Sequence, residues 1–171
     1  MTILIPAWVD GELTPVEKLR VHREGLRHKA VSVFVNHGAS TLIQQRAAGK
    51  YHTPGCWANA CCTHPAWDEA PEACARRRLR EELGIAVDTV HHRGRVTYRA
   101  DVGGGLIEHE VVEIFTVDMP TQVTPDPDPD EVGDTRWIDW TLLEREIAAE
   151  PASFVPWLRI YLADHRHLLS A

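Results

Sequence analysis

From residue 30 the chain reads AVSVFV, a β-branched and aromatic run of strand length. A second short run spans Thr41 to Gln45 after the turn-forming Asn36-His37-Gly38, so the spacing predicts a hairpin. The pattern then changes. Asp68 is a candidate N-cap, Pro71 is tolerated in a first turn, and Gly84 suits the position after the last turn, which predicts a helix over 69–83. On it Arg78 and Glu82 are four apart and share a face with Ala75 and Leu79.

GRVTYRA at 94–100 and LIEHEVVEIFTV at 106–117 read as strands around Gly103-Gly104-Gly105. Their two-residue period sets Glu108 and Glu110 on one face and Ile107, His109 and Val111 on the other. A Pro- and Asp-rich segment at 124–131 reads as a solvated loop. It is followed by a last strand at 135–140, a short helix in TLLEREIAAE and an amphipathic helix from Trp157. The N-terminal third shows a turn at Asp10-Gly11. Strands, one helix, strands, then helices make an α+β order without internal repeats, and 171 residues predict a single domain over 1–171.

Charge and cysteine usage narrow the class. A formal charge of −7 argues against non-specific nucleic-acid binding, which rests on Lys and Arg against phosphate. No long apolar run and no signal-peptide pattern occur, so a cytoplasmic protein without membrane contact is expected. Cys56, Cys61, Cys62 and Cys74 crowd into nineteen residues without distant partners or a CxxC pair, which predicts free thiols.

Candidate chemistry is ambiguous group by group. His22 and His28 are six apart, wrong for one helix face, and are either surface residues or ligands gathered by a bend. Arg46 and Lys50 alone are solvated cations, and Arg78 with Glu82 alone is a surface ion pair. The Glu108 and Glu110 face is either the solvent side of a sheet or a metal site. His91, His92, His165 and His167 fall at exposed ends and carry no assigned chemistry.

The combination is more specific. Glu69 followed by RRLREELGI at 77–85 resembles the Nudix box. WANACCTHP upstream, IEHEVVEIF downstream, Glu17-Lys18, HKAVSVF and FVPW together resemble type I isopentenyl-diphosphate Δ-isomerases over roughly residues 16–165. Against the hydrolase pattern, Thr63 replaces the opening Gly and Arg77-Arg78 replaces an Arg-Glu pair. The resemblance implies an α+β Nudix-type mixed sheet sandwiched between helices. It also implies interconversion of isopentenyl and dimethylallyl diphosphate by a 1,3-allylic proton shift in isoprenoid biosynthesis.

Carried over residue by residue, it implies a divalent-metal site of His22, His28, His64, Glu108 and Glu110 for Mn²⁺, Mg²⁺ or Zn²⁺. Glu82 and the Cys62 backbone carbonyl would hold a Mg²⁺ arriving with the diphosphate, and Lys18, Arg46, Lys50 and Arg78 would contact its oxygens. Cys62 and Glu110 would be the proton carriers, Tyr98 assisting and Trp157 facing the carbocation. A thiol suits such a task because a nearby cation can lower its titration. No flavin signature occurs, and a monomer or weak dimer is expected. The competing readings are a Nudix pyrophosphohydrolase and a non-catalytic metal-binding module.

Overall fold

A computed structural model describes residues 2–171. Its centre is β3 (His28–His37), a ten-residue strand buried at nearly every position. Alternation sends Ala30, Ser32 and Phe34 to one side and Val31, Val33 and Val35 to the other, and both sides are covered. This is why the segment is apolar almost throughout instead of alternating.

Around β3 grows a nine-stranded mixed sheet. β1 (Leu4–Val9) and β2 (Glu12–Glu17) form an antiparallel hairpin, and β1 adjoins β3. Its turn is Asp10-Gly11, with φ of 50° and 86°; two consecutive positive φ values match the twist of a two-residue hairpin. β4 (Ser40–Arg46) pairs β3, the short β5 (Trp57–Asn59) and β9 (Val132–Asp139). β6 (Cys61–Thr63) lies antiparallel to β3, pairing Ser32 with Cys62.

β7 (His91–Gly103) and β8 (Leu106–Asp118) form a long hairpin, longer than the two predicted runs. β8 runs parallel to β3 and brings Glu110 opposite His28. One sheet face is covered by α2 (Pro71–Leu83) over Val31, Val33, Leu42 and Cys61. The other is covered by α3 (Trp140–Ala149) and α4 (Pro156–Asp164), with Leu143, Trp157, Leu158 and Tyr161 over Phe34 and Ile114. The sandwich of helices about a mixed sheet is thus as expected.

Three local expectations change. Residues 18–24, given no element from sequence, form α1 (Lys18–Glu24), capped by the Glu17 carboxylate, which accepts from the amides of Leu19 and Arg20. Asp68 does not cap α2. Its φ is 67°, the N-cap position is Ala70, and no side chain caps it. Glu69 anchors the helix start instead, accepting from the Ala66 amide and from the Arg77 guanidinium.

The acidic loop is also not merely solvated. The amides of Asp126 and Asp128 donate to the carbonyls of Leu83 and Glu82 at the end of α2, and Glu131 reaches back toward Lys50 and Arg78. A helix end exposes unpaired carbonyls, and this loop supplies the donors they need.

Candidate active site

Four elements converge on one cluster of imidazoles and carboxylates. α1 supplies His22, the start of β3 supplies His28, the turn after β6 supplies His64, and β8 supplies Glu108 and Glu110. The bend between His22 and His28 is made by Gly25, which ends α1 with φ of 62° and turns the chain into β3. That resolves the six-residue spacing in favour of convergence. The Glu108 and Glu110 face is interior, with both residues 2% exposed.

Ring orientation follows from the partners. His22 Nδ1–H donates to the Lys18 carbonyl at 2.6 Å and His28 Nδ1–H to the Leu26 carbonyl at 2.8 Å. A carbonyl only accepts, so each Nδ1 carries hydrogen and each Nε2 turns its lone pair inward. His22 Nε2 lies 3.2 Å from Glu108 Oε1, His28 Nε2 3.2 Å from Glu108 Oε2, and His64 Nε2 3.1 Å from Glu110 Oε1. The Nε2 atoms of His28 and His64 face each other at 3.2 Å.

Ligand atoms of His22, His28, His64 and Glu108 all lie within 4.8 Å of one another. Buried lone pairs and carboxylates facing one point need a cation or protons between them, and a nitrogen and oxygen donor set suits a divalent ion. The residues present therefore fit a metal.

Protons alone give an uneven balance. Burial opposes ionisation of Glu108, yet hydrogen bonds from His22, His28, His52 and His64 hold its carboxyl well below the usual range. Glu110 is lowered too: burial and the Glu108 charge oppose this, and bonds to His28 and His64 outweigh them. His28 is pushed up to about 10, burial opposing and the two carboxylates prevailing, whereas burial lowers His64.

Beside the cluster lies an open cleft. Lys18, Arg46, Lys50 and Arg78, the four cations named from sequence, all line it, as do Cys62, Glu82, Glu108, Glu110 and Trp157. Each cation has a local anchor. Lys18 Nζ sits 5.1 Å from the Tyr51 ring centroid, and Arg46 donates to the His52 carbonyl and lies over Trp157 at 5.5 Å. Lys50 pairs with Glu131, while Arg78 donates to Glu82 at 2.7 Å and to Glu81 at 2.8 Å.

The Arg78–Glu82 pair is therefore not a surface pair, since Glu82 is 4% exposed. Gln44 Nε2 donates to its second oxygen at 3.0 Å, a partner that sequence reading missed.

Cys62 is half-buried in the cleft wall, its Sγ 2.9 Å from Ser32 Oγ. Burial, then the Glu110 charge, push its thiol well above the usual range, against the Ser32 hydrogen bond and the Arg46 charge. Desolvation here outweighs a guanidinium that is itself shared with a carbonyl. Tyr98 is not in the cleft wall; it stands behind Glu110 and donates to Oε2 at 2.7 Å. Trp157 is 2% exposed, with its indole N–H unpaired among the described residues.

Two further residues escaped sequence reading. His52 Nε2 lies 2.9 Å from Glu108 Oε1, its Nδ1 is 2.9 Å from Thr53 Oγ1, and its ring meets Trp157 edge-on at 5.8 Å. The Tyr51 hydroxyl is 3.3 Å from His22 Nε2. Their only signal is position, directly after Lys50. All four cysteines are free, and no helix among the described residues is long and apolar enough to cross a membrane.

Known proteins give the same affiliation. The NUDIX domain family matches residues 26–158. The isopentenyl-diphosphate Delta-isomerase of Cereibacter sphaeroides is 62% identical over 165 residues, covering 96% of this chain and 93% of that protein. That of Rhodobacter capsulatus is 57% identical over 166 residues, covering 97% and 94%. Among solved structures, DR0079 from Deinococcus radiodurans aligns with a TM-score of 0.68 at 16% identity, covering 85% of this chain and 88% of that one. The Nudix hydrolase RenU from M. smegmatis aligns at 0.61 and 18%, covering 96% and 92%. These structural likenesses speak for the fold alone, but relatives more than half identical along nearly the whole chain speak for the family: this protein belongs to the isopentenyl-diphosphate Delta-isomerases of the Nudix superfamily.

Proposed function

We propose that this protein, working as one domain, interconverts isopentenyl and dimethylallyl diphosphate by moving a proton between two carbons of the allylic unit. The observation that carries the reading is a thiol, Cys62, and a Tyr98-backed carboxylate, Glu110, opening on one cleft that also bears four cations. A 1,3 shift must protonate one carbon and deprotonate another, which takes two carriers. A Nudix hydrolase holds metal and activates water, and needs no pair of carriers directed at carbon.

Lys18, Arg46, Lys50 and Arg78 hold the diphosphate; guanidinium forks and ammonium points suit its dense charge. Lys50 and Arg78 exchange their Glu131 contacts for phosphate oxygens on binding. Cys62 and Glu110 exchange protons with the substrate carbons. Tyr98 donates to Glu110 Oε2 and steadies that carboxylate. Trp157 offers its indole face to the cation between the two transfers, an attraction of about 2 kcal/mol once water is excluded. His22, His28, His64, Glu108 and Glu110 would hold a divalent ion, Mn²⁺, Mg²⁺ or Zn²⁺, and Glu82 with the Cys62 carbonyl a Mg²⁺ brought by the diphosphate. Bound there, such ions neutralise charge and set the acidity of the carboxylates around them.

The test follows isopentenyl diphosphate with Mg²⁺ by product analysis and phosphate release, for wild type, Cys62→Ala and Glu110→Gln. Isomer formed without phosphate, and lost in both variants, is expected. Phosphate release that survives Cys62→Ala would overturn the reading in favour of a pyrophosphohydrolase.

A further inference from the structure

Behind Cys62 runs a chain of two buried hydroxyls. The Ser32 hydroxyl on β3 sits directly across the strand pair from Cys62 on β6, with Oγ 2.9 Å from Sγ. The hydroxyl of Tyr161 on α4 lies 3.1 Å from the same Oγ. Ser32 and Tyr161 are both 0% exposed, and among the described residues neither hydroxyl has another hydrogen-bond partner.

Three hydrogens, on Tyr161, Ser32 and Cys62, share two contacts. If the thiol donated to Ser32, either the Ser32 hydrogen would pass to Tyr161, or Tyr161 would also donate to Ser32 and leave the Ser32 hydrogen unpaired. In the first case the Tyr161 hydrogen has no acceptor, since among the described residues its hydroxyl has no hydrogen-bond partner but Ser32. A buried hydroxyl left unpaired loses its full hydration, whereas a thiol is a weak donor that loses little. The arrangement that satisfies both hydroxyls runs one way: Tyr161 donates to Ser32, and Ser32 donates to the Cys62 sulfur.

The thiol hydrogen is then displaced from the interior, and the open side of the half-buried Cys62 is the cleft. We propose that Ser32 and Tyr161 are positioning residues that hold the Cys62 sulfur by a one-way hydrogen-bond chain and aim its S–H at the substrate carbons. The proposal rests on the isomerase reading given above. When the proton leaves, the sulfur accepts the same hydrogen bond more strongly, so neither hydroxyl has to turn. A donor already oriented toward developing charge costs no reorganisation during the transfer.

Ser32→Ala and Tyr161→Phe each remove one oxygen and add no bulk, and thermal melts verify that both fold. The infrared S–H stretch of Cys62 is isolated by subtracting the Cys62→Ala spectrum, with no substrate or metal added. The band is expected to stay in place in Ser32→Ala, because the S–H does not donate to Ser32. Turnover of isopentenyl diphosphate is expected to fall about 10- to 100-fold in kcat for Ser32→Ala, the loss of a hydrogen bond to a charged group, with KM little changed. A smaller kcat loss is expected for Tyr161→Phe.

An upward shift of the band in Ser32→Ala would overturn the proposal by showing that the thiol had been donating. Wild-type kcat in both variants, or an effect confined to KM, would overturn it as well. A wild type that forms no isomer sinks the isomerase reading instead, and the infrared measurement still decides the hydrogen arrangement.

Discussion

His52 shows how a single side chain joins the two halves of the site. Its ring contacts Glu108 in the metal cluster and Trp157 in the cleft wall, and its backbone carbonyl accepts from Arg46. Groups that orient metal ligands typically shift affinity about 10- to 100-fold when removed. His52→Phe is therefore expected to weaken divalent-ion binding by about that factor, measured by calorimetry on the metal-free protein; unchanged affinity would reduce His52 to packing. Tyr98→Phe removes one hydrogen bond to Glu110, and a loss of kcat on the order of 10- to 100-fold is expected with KM little affected. Steady-state kinetics checks this. At this scale the family resemblance pointed to Cys62, Glu110 and the three histidines, which the fold gathers around one cluster and its cleft. His52, Gln44 and Tyr161 lie in no motif, and Ser32 sits inside HKAVSVF without being singled out there, because each acts through a partner distant in sequence.

At the scale of elements, α2 depends on both its ends. Gly84 closes it with φ of 67°, and a Cβ there would lie 2.8 Å from the Asp126 carbonyl oxygen. Gly84→Ala therefore combines a strained backbone with a clash against the acidic loop, and a loss of about 1–3 kcal/mol is expected in urea unfolding. At the other end, the Arg77 guanidinium beside Glu69 holds that carboxyl below its usual value. A folded-state value below the unfolded one stabilises the fold at neutral pH. That contribution is lost as pH falls through the ordinary carboxylate range and then the lower folded value.

Glu69→Gln should thus lower stability at pH 7 by no more than about 1 kcal/mol, because Arg77 is open to solvent. The difference from wild type should vanish in acid, once Glu69 is protonated in the folded state as well. A gap that persists in acid would show that charge is not its source. Gly84 was readable as a terminator. The failure of Asp68 as a cap was not, because its positive φ is set by the turn leading out of β6 and not by its own preference.

For the whole molecule, the metal cluster is a long-range device. β8, α1, β3 and the turn after β6 meet only when the sheet is assembled, and the unfolded chain offers no such site. A divalent ion that binds only the folded form stabilises it by about 2.7 kcal/mol at one hundred times its dissociation constant. Thermal melts should accordingly rise with added Mn²⁺ or Zn²⁺ and fall back on chelation, and His64→Ala should remove most of the gain.

The sequence by itself determined the apolar run of β3, the helical register of α2, the shared face of Glu108 and Glu110 and the family to which these belong. Local spacing and turn chemistry suffice for such features. Only the tertiary structure decided that this face looks inward, that Glu131 holds Lys50 and Arg78 in the cleft, and that two hydroxyls back the Cys62 thiol. Ser32 and Tyr161 stand 129 positions apart. What unites such residues is strand register and the packing of α4 on the sheet, and no local period encodes either.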